Sequence, residues 1–354
     1  MKKYFNRDTY LAASIAASWA WGFSLLTGLT VSQERGIIPF IIWGVANSLA
    51  LYIFGKFLFR FPKIMKVESG PIVVHFTTIV RVFSIWVQMS AIYETLLKLG
   101  VSNLISQTIA YGVGAFIVVS MYRWEINGSM FTDQIQWIGL KVCTAAIILL
   151  GLLSGAELQP IVWSGVGQIK WALWAGVLLL GGPFVDLQNV QRARIVYGEG
   201  RKKAYTTAFW LFLAYQALIF GMSVFNFNFI MNLLLVLAVF FLATSTMDSD
   251  VVALHEIKGK KFGVFLGLLT VAMWQFVKVI GFFNLWQIIA NARIWVALIV
   301  VVMTIYLTSI DRKKGIVKKT GWAAVYDIDP KIVESAARSV ESAKEYLQGS
   351  DSED

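Results

Sequence analysis

Repeatedly along this chain, some twenty or more residues pass with almost no charge. The stretches cover about 9–33, 36–60, 72–98, 103–122, 132–154, 168–196, 203–225, 228–256, 261–281 and 284–309. About twenty residues of helix, rising ~1.5 Å each, cross the ~30 Å hydrocarbon core of a bilayer. In hydrocarbon each backbone amide must find its partner within the protein, so these stretches are expected to be helices. The expectation is an all-α polytopic membrane protein with ten transmembrane helices. Composition agrees: 57% of residues are hydrophobic and 15% charged, against about 25% charged in soluble domains. The mean hydropathy is +0.66.

The net charge of +10 is distributed unevenly among the loops. Lys56, Arg60, Lys63 and Lys66, then Arg123, Arg192 to Lys203, Lys258 to Lys261 and Arg312 to Lys319 follow the even-numbered stretches. The alternate loops, such as Ser102-Asn103 and Phe225 to Phe229, carry almost none. This bias places both termini in the cytoplasm of a cell-membrane protein. It also accounts for the basic balance without nucleic acid as a partner. The expected partners are the bilayer and a small-molecule solute, with oligomeric state left open. Lys2, Lys3 and Arg7 precede the first apolar run as in a signal peptide, but the run continues past a signal-peptide core and reads as a retained helix.

Several chemistries are excluded by residue supply. Cys143 is the single cysteine, so no disulfide framework or thiolate cluster is available. His75 and His255 are too far apart in sequence for a local zinc motif, and no transition-metal site is expected. No Gly-x(4)-Gly-Lys-Ser/Thr segment offers a nucleotide cradle. No acid–base pair or nucleophile set stands out, so the chain does not read as an enzyme.

Two stretches are interrupted by residues that weaken helices. The first contains Ser18-Trp19-Ala20-Trp21-Gly22. The sixth contains Gly181-Gly182-Pro183, then Asp186, Gln188 and Asn189. They hold matching positions in two halves of five, about 9–154 and 168–309. Unwound backbone at membrane depth survives where it lines a cavity, and breaks in corresponding positions of two inverted repeats point to a transporter's binding site. Residues 1–310 therefore read as a ten-helix core and 311–354 as a cytoplasmic tail. In the tail, Asp329-Pro330 and the stripe Ile332, Ala336, Val340, Ala343 and Leu347 predict an amphipathic helix over about 330–347.

Three motifs resemble one family. Asp186-Leu-Gln-Asn-Val-Gln191-Arg192, followed by Lys202-Lys203-Ala204, is similar to the Asp-x(4)-Gln-Arg signature of the sodium:solute symporters. Thr132-Asp133-Gln134-Ile135-Gln136 after Asn127-Gly128 resembles that family's Thr-Asp-x-x-Gln start of the fifth span. Ser245-Thr246-Met247-Asp248-Ser249 resembles its Ser-Thr-x-Asp-Ser stretch on the eighth. The resemblance covers about residues 10–310 and implies a LeuT-type fold, here reduced to the ten-helix core. It also implies a sodium site formed by carbonyls of Ser18, Trp21 and Leu242 with the hydroxyls of Ser245 and Thr246, and Asp133 nearby. Leu242 departs from the family's usual alanine, which matters little where a carbonyl is the ligand.

Three cations, Arg81, Lys141 and Arg293, fall near mid-depth. The nearest acidic residues, Asp133, Asp186, Asp248 and Asp250, are expected toward the cytoplasmic ends, leaving uncompensated positive charge that an anionic ligand would offset. Thr77, Arg81, Ser84 and Gln88 share one helical face, and the Arg81 fork suits a carboxylate. Trp19, Arg81, Gln88, Lys141, Asp186 and Gln188 are the candidate substrate residues. The expected function is sodium-coupled symport of a small anionic or zwitterionic, carboxylate-bearing solute by alternating access. One alternative is a proton-coupled or exchange carrier of nucleobases or amino acids, with Lys141 standing in place of sodium. Another is a non-transporting membrane sensor or scaffold.

Overall fold

Local chemistry sets where the helices begin. The computed structural model describes residues 7–313 apart from 62, 69, 161, 164, 196–197 and 281. Along them run α1 (Arg7–Trp19), α2 (Gly22–Thr30, prolonged by a π-helical turn Val31–Arg35), α3 (Ile37–Arg60) and α4 (Ile64–Glu68). Then come α5 (Pro71–Lys98), α6 (Asn103–Leu153), α7 (Val166–Gly181, prolonged by a 3-10 turn Gly182–Val185) and α8 (Leu187–Ile195). The series ends with α9 (Gly198–Ser223), α10 (Phe229–Lys258), α11 (Lys260–Ile280) and α12 (Phe282–Lys313). Asn228 caps α10 by accepting the Met231 amide at 3.0 Å, satisfying a donor that a helix start leaves unpaired. Pro71 opens α5, a position that needs no N–H. The chain reverses before α3 at Gly36, whose φ of +105° disfavours any residue with a Cβ.

Eight helical segments are long and apolar enough to span a bilayer, and nine if α1 and α2, bent by 64° at their junction, form one span. The expected stretch 261–281 is helical as α11, yet it is not among those eight. Among the described residues, length and apolarity therefore do not reach the expected ten. A further difference concerns Arg123. The sequence places a loop there, but helical conformation continues from Asn103 to Leu153, with two apolar spans inside it, Asn103–Trp124 and Gly128–Leu153. No proline lies in this stretch, and one glycine weakens a helix by only about 1 kcal/mol. Strand-like pairing among the described residues is a single bridge, Leu158 to Phe225.

α10 packs against α5, α6 and α11, while α3 packs against α7 and α9, and α1 against α6 and α9. Apolar side chains fill two clusters, one including Ile15, Phe54 and Phe212 and the other Ile85, Met89, Met247 and Trp274. Ile41, Phe116, Ile138 and Trp295 are exposed on the outside, as hydrocarbon surroundings require. At the α10–α11 turn a Cβ built on Gly263 would lie 2.4 Å from His255 Cδ2 and 2.8 Å from the His255 backbone nitrogen. Backbone cannot swing aside, so Gly263→Ala is expected to destabilise the fold by about 1–3 kcal/mol. The check is the melting temperature in detergent, and an unchanged value would contradict this packing.

The chain divides into two units, Met1–Val317 and Lys318–Asp354. The amphipathic helix expected over 330–347 lies outside the described residues.

Candidate functional site

The first span leaves helical conformation at Ala20-Trp21. Trp21 is extended (φ −65°, ψ 145°), and α2 restarts at Gly22. In an unbroken helix the Gly22 amide would donate to the Ser18 carbonyl. It donates instead to Gln88 Oε1 on α5, at 2.9 Å. The second interruption falls later than the glycines and proline of 181–183 suggest. Pro183 sits in the first turn of the 3-10 segment, and the chain turns extended only at Asp186 (φ −114°, ψ 101°). A proline in a first turn removes no needed N–H. Asp186 Oδ1 then accepts the Gln188 amide at 3.0 Å, the N-cap arrangement that starts α8. The two interruptions meet: a Cβ built on Gly182 would lie 2.4 Å from Trp19 Cη2.

Beneath this contact lies a buried ion cluster. Arg81 Nη2 is 2.8 Å from Asp186 Oδ1, and Arg81 Nη1 donates to Asp250 Oδ1 at 2.5 Å. All three residues are 0% exposed. Gln188 Nε2 donates to Asp250 Oδ1 at 2.7 Å and to the Thr246 carbonyl at 3.1 Å. Arg293 on α12 closes the cluster more loosely. Its Nη2 donates to the Gly182 carbonyl at 3.2 Å and lies 3.8 Å from Asp186 Oδ2, while its Nε has no hydrogen-bond partner. The middle of the bundle is therefore not left with uncompensated positive charge. The break in the sixth span carries Asp186 across to Arg81, and Asp250 stands one turn beyond Thr246 on α10. This corrects the sequence expectation.

A second cluster joins α1, α6, α8 and α10. Arg192 Nη2 is 2.7 Å from Asp133 Oδ2 and 2.8 Å from Ser249 Oγ, and Arg192 Nε donates to Ser14 Oγ at 2.8 Å. Ser14 and Ser245 hydroxyls also donate to Asp133, at 2.5 and 2.6 Å. Asp248 accepts from Ser129 at 2.9 Å, Thr132 at 2.5 Å and Ser249 at 3.1 Å. Asp133 is thus paired with the one guanidinium of this cluster, and Asp248 is held by hydroxyls.

A cavity of about 610 Å³, its open mouth included, runs between the interruptions. Trp19, Trp21, Phe23, Trp43, Leu178 and Leu179 form its walls, and Ser24, Thr27, Asn47, Gly182 and Arg293 supply its polar edge. Trp19 is held in place by donation from Nε1 to the Asn47 carbonyl at 3.0 Å. Arg293 stacks over Trp21 at 5.7 Å, within cation–π range.

The structure sorts the candidate residues. Ser245 sits beside Asp133. Thr246 back-bonds to the Leu242 carbonyl at 3.1 Å, and Ser18 Oγ to the Ile15 carbonyl at 3.1 Å. The Trp21 carbonyl accepts the Ser24 amide at 2.8 Å. A Cβ on Gly22 would touch Ala243 at 3.1 Å, so the first interruption does lie against the 242–246 turn of α10. Trp19 lines the cavity. Arg81, Asp186 and Gln188 belong to the ion cluster below it, and Gln88 holds the Gly22 amide. Lys141 is exposed and is not brought to either cluster. Arg293, Asn47, Trp43 and Ser14 were not selected from the sequence. Of these, Arg293 carried a signal, as a charge in an apolar span.

No protein-family model matches the chain, and no curated protein matches it in sequence. Solved structures match it in fold. One is a Na+-coupled sialic acid symporter in a substrate-bound outward-open state, with a TM-score of 0.52 and 13% identity over 82% of this chain and 73% of that one. Another is a nucleobase-cation-symport-1 family transporter closed around bromovinylhydantoin, with a TM-score of 0.56 and 15% identity over 83% of this chain and 77% of that one. These likenesses, with the two interrupted helices, define an all-α multi-pass membrane protein of LeuT-type fold.

Proposed function

We propose that this chain is a secondary active transporter that carries a small organic solute by alternating access, driven by sodium. One observation carries the transport reading: two interrupted helices meet at Trp19 and Gly182 and line one cavity. Interrupted helices at matching positions are how such carriers build a midplane site. For sodium, the support is chemical. A hard cation takes oxygen ligands. Ser245 and Thr246 each donate their one hydroxyl proton and keep lone pairs for an ion. Asp133, which accepts the Ser245 hydroxyl at 2.6 Å, places a carboxylate beside these ligands. The sodium ligands in this reading are the carbonyls of Ser18, Trp21 and Leu242 and the hydroxyls of Ser245 and Thr246, with Asp133 nearby.

A second reading, coupling to protons or exchange of solutes, is favoured by Arg192. Its guanidinium already holds Asp133 at 2.7 Å, so a tethered cation serves that carboxylate. Lys141, exposed on α6, has no part in either reading. Melting of the purified chain in sodium, potassium and choline chloride separates them. Sodium at about a hundred times its dissociation constant stabilises by about 2.7 kcal/mol. Sodium is expected to raise the melting temperature, and Ser245→Ala to remove that rise. Identical melting in all three salts would sink sodium coupling.

A further inference from the structure

We propose that Arg293 selects the solute and that the solute is an aromatic monocarboxylate; this rests on the transporter reading and names the substrate class of its cavity. Among the described residues that line the cavity, Arg293 is the single charged one. Its surroundings leave it undersupplied. A guanidinium offers five N–H donors, and Arg293 makes one hydrogen bond, to the neutral Gly182 carbonyl, with Nε unpartnered. The nearest carboxylate oxygen, Asp186 Oδ2, is 3.8 Å away, beyond hydrogen-bond reach. Asp186 Oδ1 serves Arg81 and the Gln188 amide, while Oδ2, the oxygen nearest Arg293, makes no hydrogen bond. A buried donor without a partner is costly, and Arg293 is only 9% exposed. A planar carboxylate matches the guanidinium fork.

The walls define the rest of the ligand. Trp19, Trp21, Phe23 and Trp43 present four aromatic rings, and ring stacking suits a flat body. Among the described residues no Asp or Glu lines the cavity, so none of them would offset the ammonium of a zwitterionic amino acid there. Thr27 Oγ1, also lining the cavity, is unpartnered and offers a further hydrogen bond. Trp21 and Arg293 also line a second, smaller cavity together with Phe83 and Val87, so the selecting cation borders both.

The full-length protein, purified in detergent, is titrated with potassium salts of phenylacetate and acetate, with neutral phenylacetamide and with phenylalanine. Phenylacetate is expected to raise the melting temperature at concentrations where the other three do not. Arg293→Gln is expected to weaken phenylacetate binding about tenfold to a hundredfold, the loss of a charge-assisted hydrogen bond, while leaving melting without ligand near wild type. Equal responses to phenylacetate and phenylacetamide, or wild-type phenylacetate binding by Arg293→Gln, overturns the proposal. Labelling of Thr27→Cys, in a Cys143→Ser background, by a membrane-impermeant thiol reagent keeps the two readings apart. Labelling from both vesicle faces without protection by phenylacetate overturns the aromatic acid and leaves the transporter. Labelling from one face only, with protection, supports the aromatic acid and removes alternating access.

Discussion

Replacing Arg81 with methionine is expected to cost the folded protein about 3–5 kcal/mol, the penalty for removing one partner from a buried ion pair. Two carboxylates depend on this guanidinium, Asp186 at 2.8 Å and Asp250 at 2.5 Å, and both are fully buried. They belong to different elements, the break before α8 and the eighth-span helix α10, so Arg81 on α5 ties three parts of the bundle together. Removing it leaves two buried carboxylates in a low-dielectric interior, with Gln188, Ser84 and the distant Arg293 near them. The triple variant Arg81→Met, Asp186→Asn, Asp250→Asn is expected to recover much of the loss, because the penalty comes from uncompensated charge rather than from missing attraction. Arg293→Gln, whose closest carboxylate contact is 3.8 Å, is expected to melt near wild type. The measurement is thermal unfolding in detergent. If Arg81→Met melts with the wild type, the ion cluster does not hold these helices together.

How far this arrangement is legible in the sequence differs between backbone and side chains. Span length follows from hydrocarbon thickness, and the breaks follow from glycine and proline, so the interrupted first and sixth spans are readable. The exact point of the second break is not. Pro183 marks it in sequence, yet proline is tolerated in a first turn, and the chain leaves helix at Asp186 because that side chain caps α8. Side-chain facing is hardest where a helix is apolar on every side. On α6, Asp133, Trp137, Leu140, Thr144 and Ile147 are buried and recur every three or four residues. Lys141 falls beside that stripe, next to exposed Ile138 and Val142. In a soluble helix polarity would have marked the outer face; here Ile and Val occupy both faces, and mid-depth position alone suggested a buried lysine. Sequence order also hides that Asp186 and Asp250, far apart along the chain, converge on Arg81. The carboxylate solute proposed above rests on different grounds from the sequence expectation. Arg81, which motivated that expectation, is held by two carboxylates at 2.8 and 2.5 Å, whereas the carboxylate contact of Arg293 is 3.8 Å.

Gly182→Ala is expected to weaken phenylacetate binding and thiol access to the cavity while the chain still folds. The new methyl would lie 2.4 Å from Trp19 Cη2 and 3.3 Å from Arg293 Nη2. Trp19 cannot simply rotate away, because its Nε1 is anchored on the Asn47 carbonyl at 3.0 Å. The ring must press into the space between Trp21 and Trp43, or the two interruptions must part. Overpacking of this kind costs about 1–3 kcal/mol, equivalent to about a fivefold to hundredfold loss in binding. The cost falls on the state in which the two breaks touch, so it acts on binding and gating more than on global stability. Elution as a single species and melting close to wild type would show that the fold is kept. Labelling of Thr27→Cys in the Gly182→Ala background is expected to fall relative to Thr27→Cys alone. Undiminished labelling together with undiminished phenylacetate binding would mean that Trp19 and Gly182 do not form the wall of the solute site, and the transport reading would lose the observation on which it stands.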